Sequence, residues 1–221
     1  MNVNNYLLDK ILIIPAILLA FTFHEYAHAV MAVKLGDDTP KLQGRLTLNP
    51  FAHVDVGGFI MILLVGFGWA KPVITNPKAF KNFHRDDLKV SIAGPIANLL
   101  LGLIMTILLV IFYRFFGELK NTNMNLYIVV SDILQNAALL NCVWFFLNLL
   151  PIPGFDGFHV VSDLFPKFIY KLSPNIYKYQ IAIFMLLILP IFNGMSILNF
   201  IVGVPGISLY NTFIKFLISI I

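Results

Sequence analysis

The chain has 221 residues, a net charge of +4, 59% hydrophobic residues and only 12% charged ones, with a mean hydropathy of +0.85. An ordinary soluble domain carries about 25% charged residues, so the composition excludes that class and indicates an all-α polytopic membrane protein, with room for a single membrane-embedded domain over residues 1–221. No basic, aromatic-interleaved patch exists to bind nucleic acid, and the single Cys142 excludes an intrachain disulfide or a multi-cysteine metal site.

The first span is expected over about residues 8–33, where Ile11 to Phe23 carry no charge. Ala27-His28-Ala29 superficially resembles a signal-peptide cleavage site, but Asp9 beside Lys10 leaves the preceding region without net positive charge. The segment reads as a retained spanning helix. Inside it lies His24-Glu25-Tyr26-Ala27-His28, an HExxH sequence and hence a zinc-binding motif. Helical residues four apart share a face, with a rise of roughly 6 Å between them. Two imidazoles so placed reach one Zn²⁺ at roughly 2.0–2.1 Å. Glu25 lines the same face, where it can polarise water as a general base. Ionisable groups in such an apolar setting are costly and are functional candidates by default.

The next apolar stretch, Val56 to Ala70, contains Gly57, Gly58, Gly66 and Gly68. It is short for a span and poor as a helix, so a re-entrant element or short β-hairpin is expected over about 56–70. Non-helical backbone at membrane depth must be buried in protein or line a wet cavity. The stretch should therefore lie against the site, where it offers a strand edge to an extended peptide. His53 and Asp55 follow Asn49-Pro50 in a turn and read as loop-fixing residues; His84, between Lys81 and Lys89, reads as solvated.

A second span is expected over about 90–113, with Asn98, Gly94 and Gly102 suited to close helix packing and an interhelical hydrogen bond. A third covers about 133–152 and holds Cys142 as a small packing residue. The apolar stretch between Lys178 and Lys215 is too long for one straight helix and is punctuated by Pro190, Asn193-Gly194 and Pro205-Gly206. It divides into a helix over about 177–192, a broken segment, and a shorter helix over about 206–221. Four to five transmembrane helices result.

Eleven Lys and Arg residues fall in two connections: eight from Lys34 to Lys89, then Lys167, Lys171 and Lys178. Lys10, Arg114 and Lys120 lie on the other side. The positive-inside rule places the eleven in the cytoplasm, with the His28 end of the first helix toward that side of the cell membrane.

A catalytic zinc usually has three protein ligands and one open position. The third span ends in Asn148-Leu149-Leu150-Pro151-Ile152-Pro153-Gly154-Phe155-Asp156-Gly157. Its prolines and glycines break the helix at the depth of His28, and Asp156 stands there as an isolated carboxylate. His159 and Asp163 lie on the same side as alternative ligands. Glu118 faces the other side, and Asp132 lies at the wrong end of its helix.

HEYAHA and NLLPIPGFDG together resemble the site-2 protease family of intramembrane zinc metalloproteases. Gly44-Arg45-Leu46-Thr47-Leu48-Asn49-Pro50, Gly68-Trp69-Ala70-Lys71-Pro72 and Ala93-Gly94-Pro95-Ile96-Ala97-Asn98 resemble its bacterial and archaeal members that consist of a bare membrane core. The resemblance runs from about residue 8 to 160. It implies one zinc per chain held by His24, His28 and Asp156, water activated by Glu25, and an oxyanion stabilised by Asn148. Where the family often has Asp-Gly-Gly-Arg, this chain reads Asp156-Gly157-Phe158-His159, which leaves the ligand intact and alters what packs behind it or meets substrate.

The expected activity is that of a zinc endopeptidase acting in the lipid bilayer on transmembrane or membrane-proximal segments of other membrane proteins. Two other classes compete. A zinc-binding scaffold has no need of Glu25. A metal transporter needs polar residues at successive depths, whereas here the acidic and histidine residues gather at one level.

Overall fold

The computed structural model describes residues 3–65, 68–192 and 194–220; Gly66 and Asn193, singled out above, lie outside them. The protein is largely helical. In chain order the helices are α1 (Val3–Lys34), the single turn α2 (Thr39–Leu42), α3 (Val56–Val65), α4 (Phe83–Phe115), the single turn α5 (Leu119–Thr122), α6 (Met124–Asn148), α7 (Asp156–Leu164), α8 (Pro166–Ile188) and α9 (Val204–Ile220). Among the described residues, four helical stretches are long and apolar enough to cross a membrane: Lys10–Lys34, Phe83–Phe115, Met124–Asn148 and Asn199–Ile220.

Helices α1, α4 and α6 pack on one another; α9 lies on α6 and α4, and α7 on α4. The inner faces carry small residues, including Ala16, Ala20, Ala29, Ala137 and Ala138, all buried. Small side chains let backbones approach closely, which is how helices associate where lipid is as apolar as the interface. Helix α4 shows the resulting polarity. Ile96, Leu100, Ile104, Leu108 and Ile111 form an exposed stripe, while Asn98 and Thr106 on the inner side are fully buried.

Two expected elements take a different form. Residues 56–65 are an α-helix and not a hairpin. Its glycines sit in the first turn, where the Asp55 carboxylate accepts the Gly58 N–H at 2.8 Å, and an antiparallel bridge joins Val54 to Ala70 at its base. The helix expected over 177–192 begins at Pro166 and stops at Ile188. It is not among the four stretches suited to crossing, because its first thirteen residues carry Lys167, Lys171 and Lys178 and only the remainder is apolar. The expected break follows it: β1 (Pro190–Phe192) pairs antiparallel with β2 (Met195–Ser196), and a π-helical turn at Asn199–Gly203 leads into α9.

Candidate active site

His24 and His28 lie one turn apart on α1, with their Nε2 atoms 3.1 Å from each other. Asp156 reaches them from the first residue of α7, its Oδ2 standing 3.2 Å from His24 Nε2 and 3.3 Å from His28 Nε2. The segment before α7 explains how it gets there. Gly154 takes φ +100°, a left-handed conformation that glycine adopts without steric cost. At Gly157 a Cβ would stand 2.6 Å from the Leu150 carbonyl oxygen and collide with that of Leu149, so only glycine lets α7 start this close to the end of α6.

Each imidazole is fixed from behind. His28 Nδ1 donates to the Val90 carbonyl at 2.7 Å, and His24 Nδ1 donates to Asn98 Oδ1 at 2.7 Å. Both Nε2 lone pairs therefore face the Asp156 carboxylate. Gly94 is what admits the α4 backbone here: a Cβ on it would stand 2.7 Å from His28 Cε1 and overlap its Nε2.

This donor set suits zinc. Two imidazole nitrogens and one carboxylate oxygen lie within 4.8 Å of one another, and Asp156 Oδ2 is buried with no hydrogen-bond partner among the described residues. Three facing electron pairs require positive charge between them, and His₂-carboxylate is an established zinc ligand set with a position left for water.

Glu25 and Asn148 border the same open cleft of about 1350 Å³ as the two histidines and Asp156. Glu25 Oε2 accepts the Val73 N–H at 2.9 Å. The irregular segment that supplies this N–H is tied down on either side, by Lys71 N–H to the His53 carbonyl (2.9 Å) and by Asn76 N–H to Asp37 Oδ2 (2.6 Å).

The alternative ligands do not join the His24–His28–Asp156 cluster. Asp163 pairs with His84 at 3.0 Å, and His159, which borders the same cleft, stands 4.0 Å from Asp87, so these four residues join α7 to the start of α4. His84 is thus paired as well as half exposed. His53 is fully buried and bonds the Thr47 carbonyl (2.8 Å) within its own loop, as expected of a loop-fixing residue. Phe158 is buried edge-on against Tyr177 of α8, with ring centroids 5.5 Å apart, so the departure from Asp-Gly-Gly-Arg packs the back of α7. The Val90 carbonyl, the Val73 N–H and Asn141 escape sequence reading, and Gly94, expected to serve close helix packing, does so against the two histidines. For Gly94 the signal was available in Ala93-Gly94-Pro95, but its facing partner was not.

Residues 12–192 match the model of peptidase family M50. The chain belongs to that family, the site-2 proteases. Curated relatives agree. The chain is 39% identical over 178 residues to YwhC of Bacillus subtilis (strain 168), covering 79% of this chain and 78% of that protein. It is 31% identical over 189 residues to Rip2 of Mycolicibacterium smegmatis, covering 83% and 69%. Both are provisionally named zinc metalloproteases. No solved structure gives a significant match. The chain is a zinc metalloprotease of the site-2 type, and its four apolar helices make this M50 member a multi-pass membrane protein.

Proposed function

We propose that this protein is a single membrane-embedded unit that hydrolyses peptide bonds within or near the transmembrane segments of other membrane proteins. One zinc ion per chain is held by His24, His28 and Asp156. The observation that carries the reading is the convergence of those three donors beside Glu25 in one cleft. Bound there, zinc supplies Lewis acidity. Glu25 takes the proton from the attacking water and returns it to the leaving amine. With Oε2 engaged by the Val73 N–H, Oε1 is the oxygen left to move that proton. Asn148 donates its amide to the oxyanion, a contact worth a few kcal/mol in a water-poor site.

By the positive-inside rule, the basic connections favour a cytoplasmic position for the His28 end of α1. His28 precedes Lys34 by roughly 9 Å of helix at 1.5 Å per residue, so the site lies below the cytoplasmic surface and away from the bilayer centre. Substrate helices must unwind to expose a carbonyl. The irregular segment after α3, which ends at the cleft, is the element suited to receive them.

The test is cleavage by detergent-purified, chelator-stripped protein, with and without restored zinc. The substrates are a peptide containing a transmembrane segment and a soluble peptide of the same cleavable sequence. The expected result is zinc-dependent cleavage of the first. Cleavage of the soluble peptide alone overturns the intramembrane assignment.

A further inference from the structure

Behind His24 the side chains form a chain of fixed direction. Asn141 Nδ2 donates to the Ala137 carbonyl at 2.8 Å, and a carbonyl only accepts. That contact sets the Asn141 amide, so its Oδ1 faces Asn98 and accepts from Asn98 Nδ2 at 2.8 Å. Asn98 Nδ2 also points at the Ala20 carbonyl, 3.5 Å away. Asn98 Oδ1 is thereby left to face His24 Nδ1 at 2.7 Å. Both asparagines are fully buried. Rotating either amide would set oxygen against oxygen at a backbone carbonyl, which is costly away from water. The two carbonyls therefore determine which nitrogen of His24 carries the proton.

We propose that Asn141 and Asn98 are positioning residues that act in series to keep the proton on His24 Nδ1 and the Nε2 lone pair aimed at the zinc position. The proposal rests on the metal reading above. The opposite tautomer would point an N–H at the Asp156 carboxylate and His28 Nε2, blocking the position. His28 needs no such relay, because a backbone carbonyl, that of Val90, fixes it directly. Of the two histidine ligands, His24 is therefore the one whose competence depends on side chains from α4 and α6.

The experiment measures zinc affinity by chelator competition and solvent exchange of the His24 Nδ1 proton by ¹⁵N-histidine NMR. Asn98→Leu removes the acceptor and raises the zinc Kd about 10–100-fold, the usual cost of losing an outer-shell partner. Asn98→Asp keeps an acceptor facing His24 Nδ1, though it loses the donor to Asn141 Oδ1, and recovers part of that affinity. A packing role predicts the reverse, because leucine suits an apolar interface better than a carboxylate. Asn141→Leu, which suits the membrane interior and tests the relay if Asn98→Asp does not fold, gives a smaller loss. The double leucine variant is no worse than Asn98→Leu, since the residues act in series. In metal-free wild type the Nδ1 proton is protected from exchange, and Asn98→Leu abolishes that protection. Equal affinities for Asn98→Leu and Asn98→Asp, an additive double variant, or unchanged protection in Asn98→Leu overturns the relay. Absence of zinc binding by wild type would instead overturn the metal reading, and proton exchange would still decide the relay.

Discussion

Gly94→Ala adds one methyl group to α4 and should disable the site. The new Cβ would lie 2.7 Å from His28 Cε1, whereas ordinary contact begins at 3.4 Å. With His24 Cε1 closer still, at 2.5 Å, something must therefore move by at least 0.9 Å, several times the tolerance of roughly 0.2 Å on metal–ligand distances. If the imidazoles yield, the ligand geometry is lost. If α4 yields, His28 Nδ1 loses Val90 and His24 Nδ1 loses Asn98, both at 2.7 Å. Losing one outer-shell partner costs about 10–100-fold in metal affinity, so the zinc Kd should rise at least that far, with proteolysis falling in parallel. Helix propensity argues the other way, since alanine favours a helix over glycine by up to about 1 kcal/mol. Zinc content after purification, zinc affinity and thermal stability are the measurements. Gly117→Ala is the control, because its Cβ would meet nothing closer than the Tyr113 carbonyl at 3.7 Å. Wild-type zinc affinity in Gly94→Ala would refute the close approach of α4 to the ligand pair.

Asp156→Ala should lose zinc and activity together, while His159→Ala, whose partner is Asp87, should keep the metal; the opposite stoichiometries would reassign the third ligand. Asn148→Ala should lower kcat by about 10²–10³-fold with zinc content unchanged, as removal of an oxyanion donor does; loss of zinc instead would give it a different role. With Cys142→Ser as background, single cysteines at Lys81 and Lys171 should resist a membrane-impermeant thiol reagent in intact cells and one at Asn121 should react; the inverse pattern would move cleavage to the outer side.

The three side chains proposed as ligands were legible because their signals are local. His24 and His28 recur at helical spacing in one apolar helix, and Asp156 follows a break written by Pro151, Pro153 and Gly154. What holds those ligands was not legible, because it depends on how helices pair. The Val90 carbonyl and Asn98 meet the histidines across 62 and 74 residues of sequence. Val73 contributes only its N–H, which any residue but proline would carry. Asn98 was readable as an interhelical hydrogen-bonding residue, and it forms such bonds, but its partners emerge only when α1, α4 and α6 assemble. Helix α3 was misjudged because glycines were counted without position: Gly57 and Gly58 fall in its first turn, where Asp55 caps the chain and the helical cost of glycine weighs least. Helix α8 was misplaced because its apolar C-terminal part resembles the end of a span, while the helix itself begins in polar sequence at Pro166.

The most direct test of the central claim is Glu25→Gln, read simultaneously for zinc content and for cleavage of a membrane-embedded substrate. The amide keeps the shape of the side chain and can still accept the Val73 N–H, but it cannot take a proton from water at neutral pH. Full zinc occupancy with turnover reduced to background is the result the account predicts. Wild-type cleavage by zinc-loaded Glu25→Gln protein would contradict it.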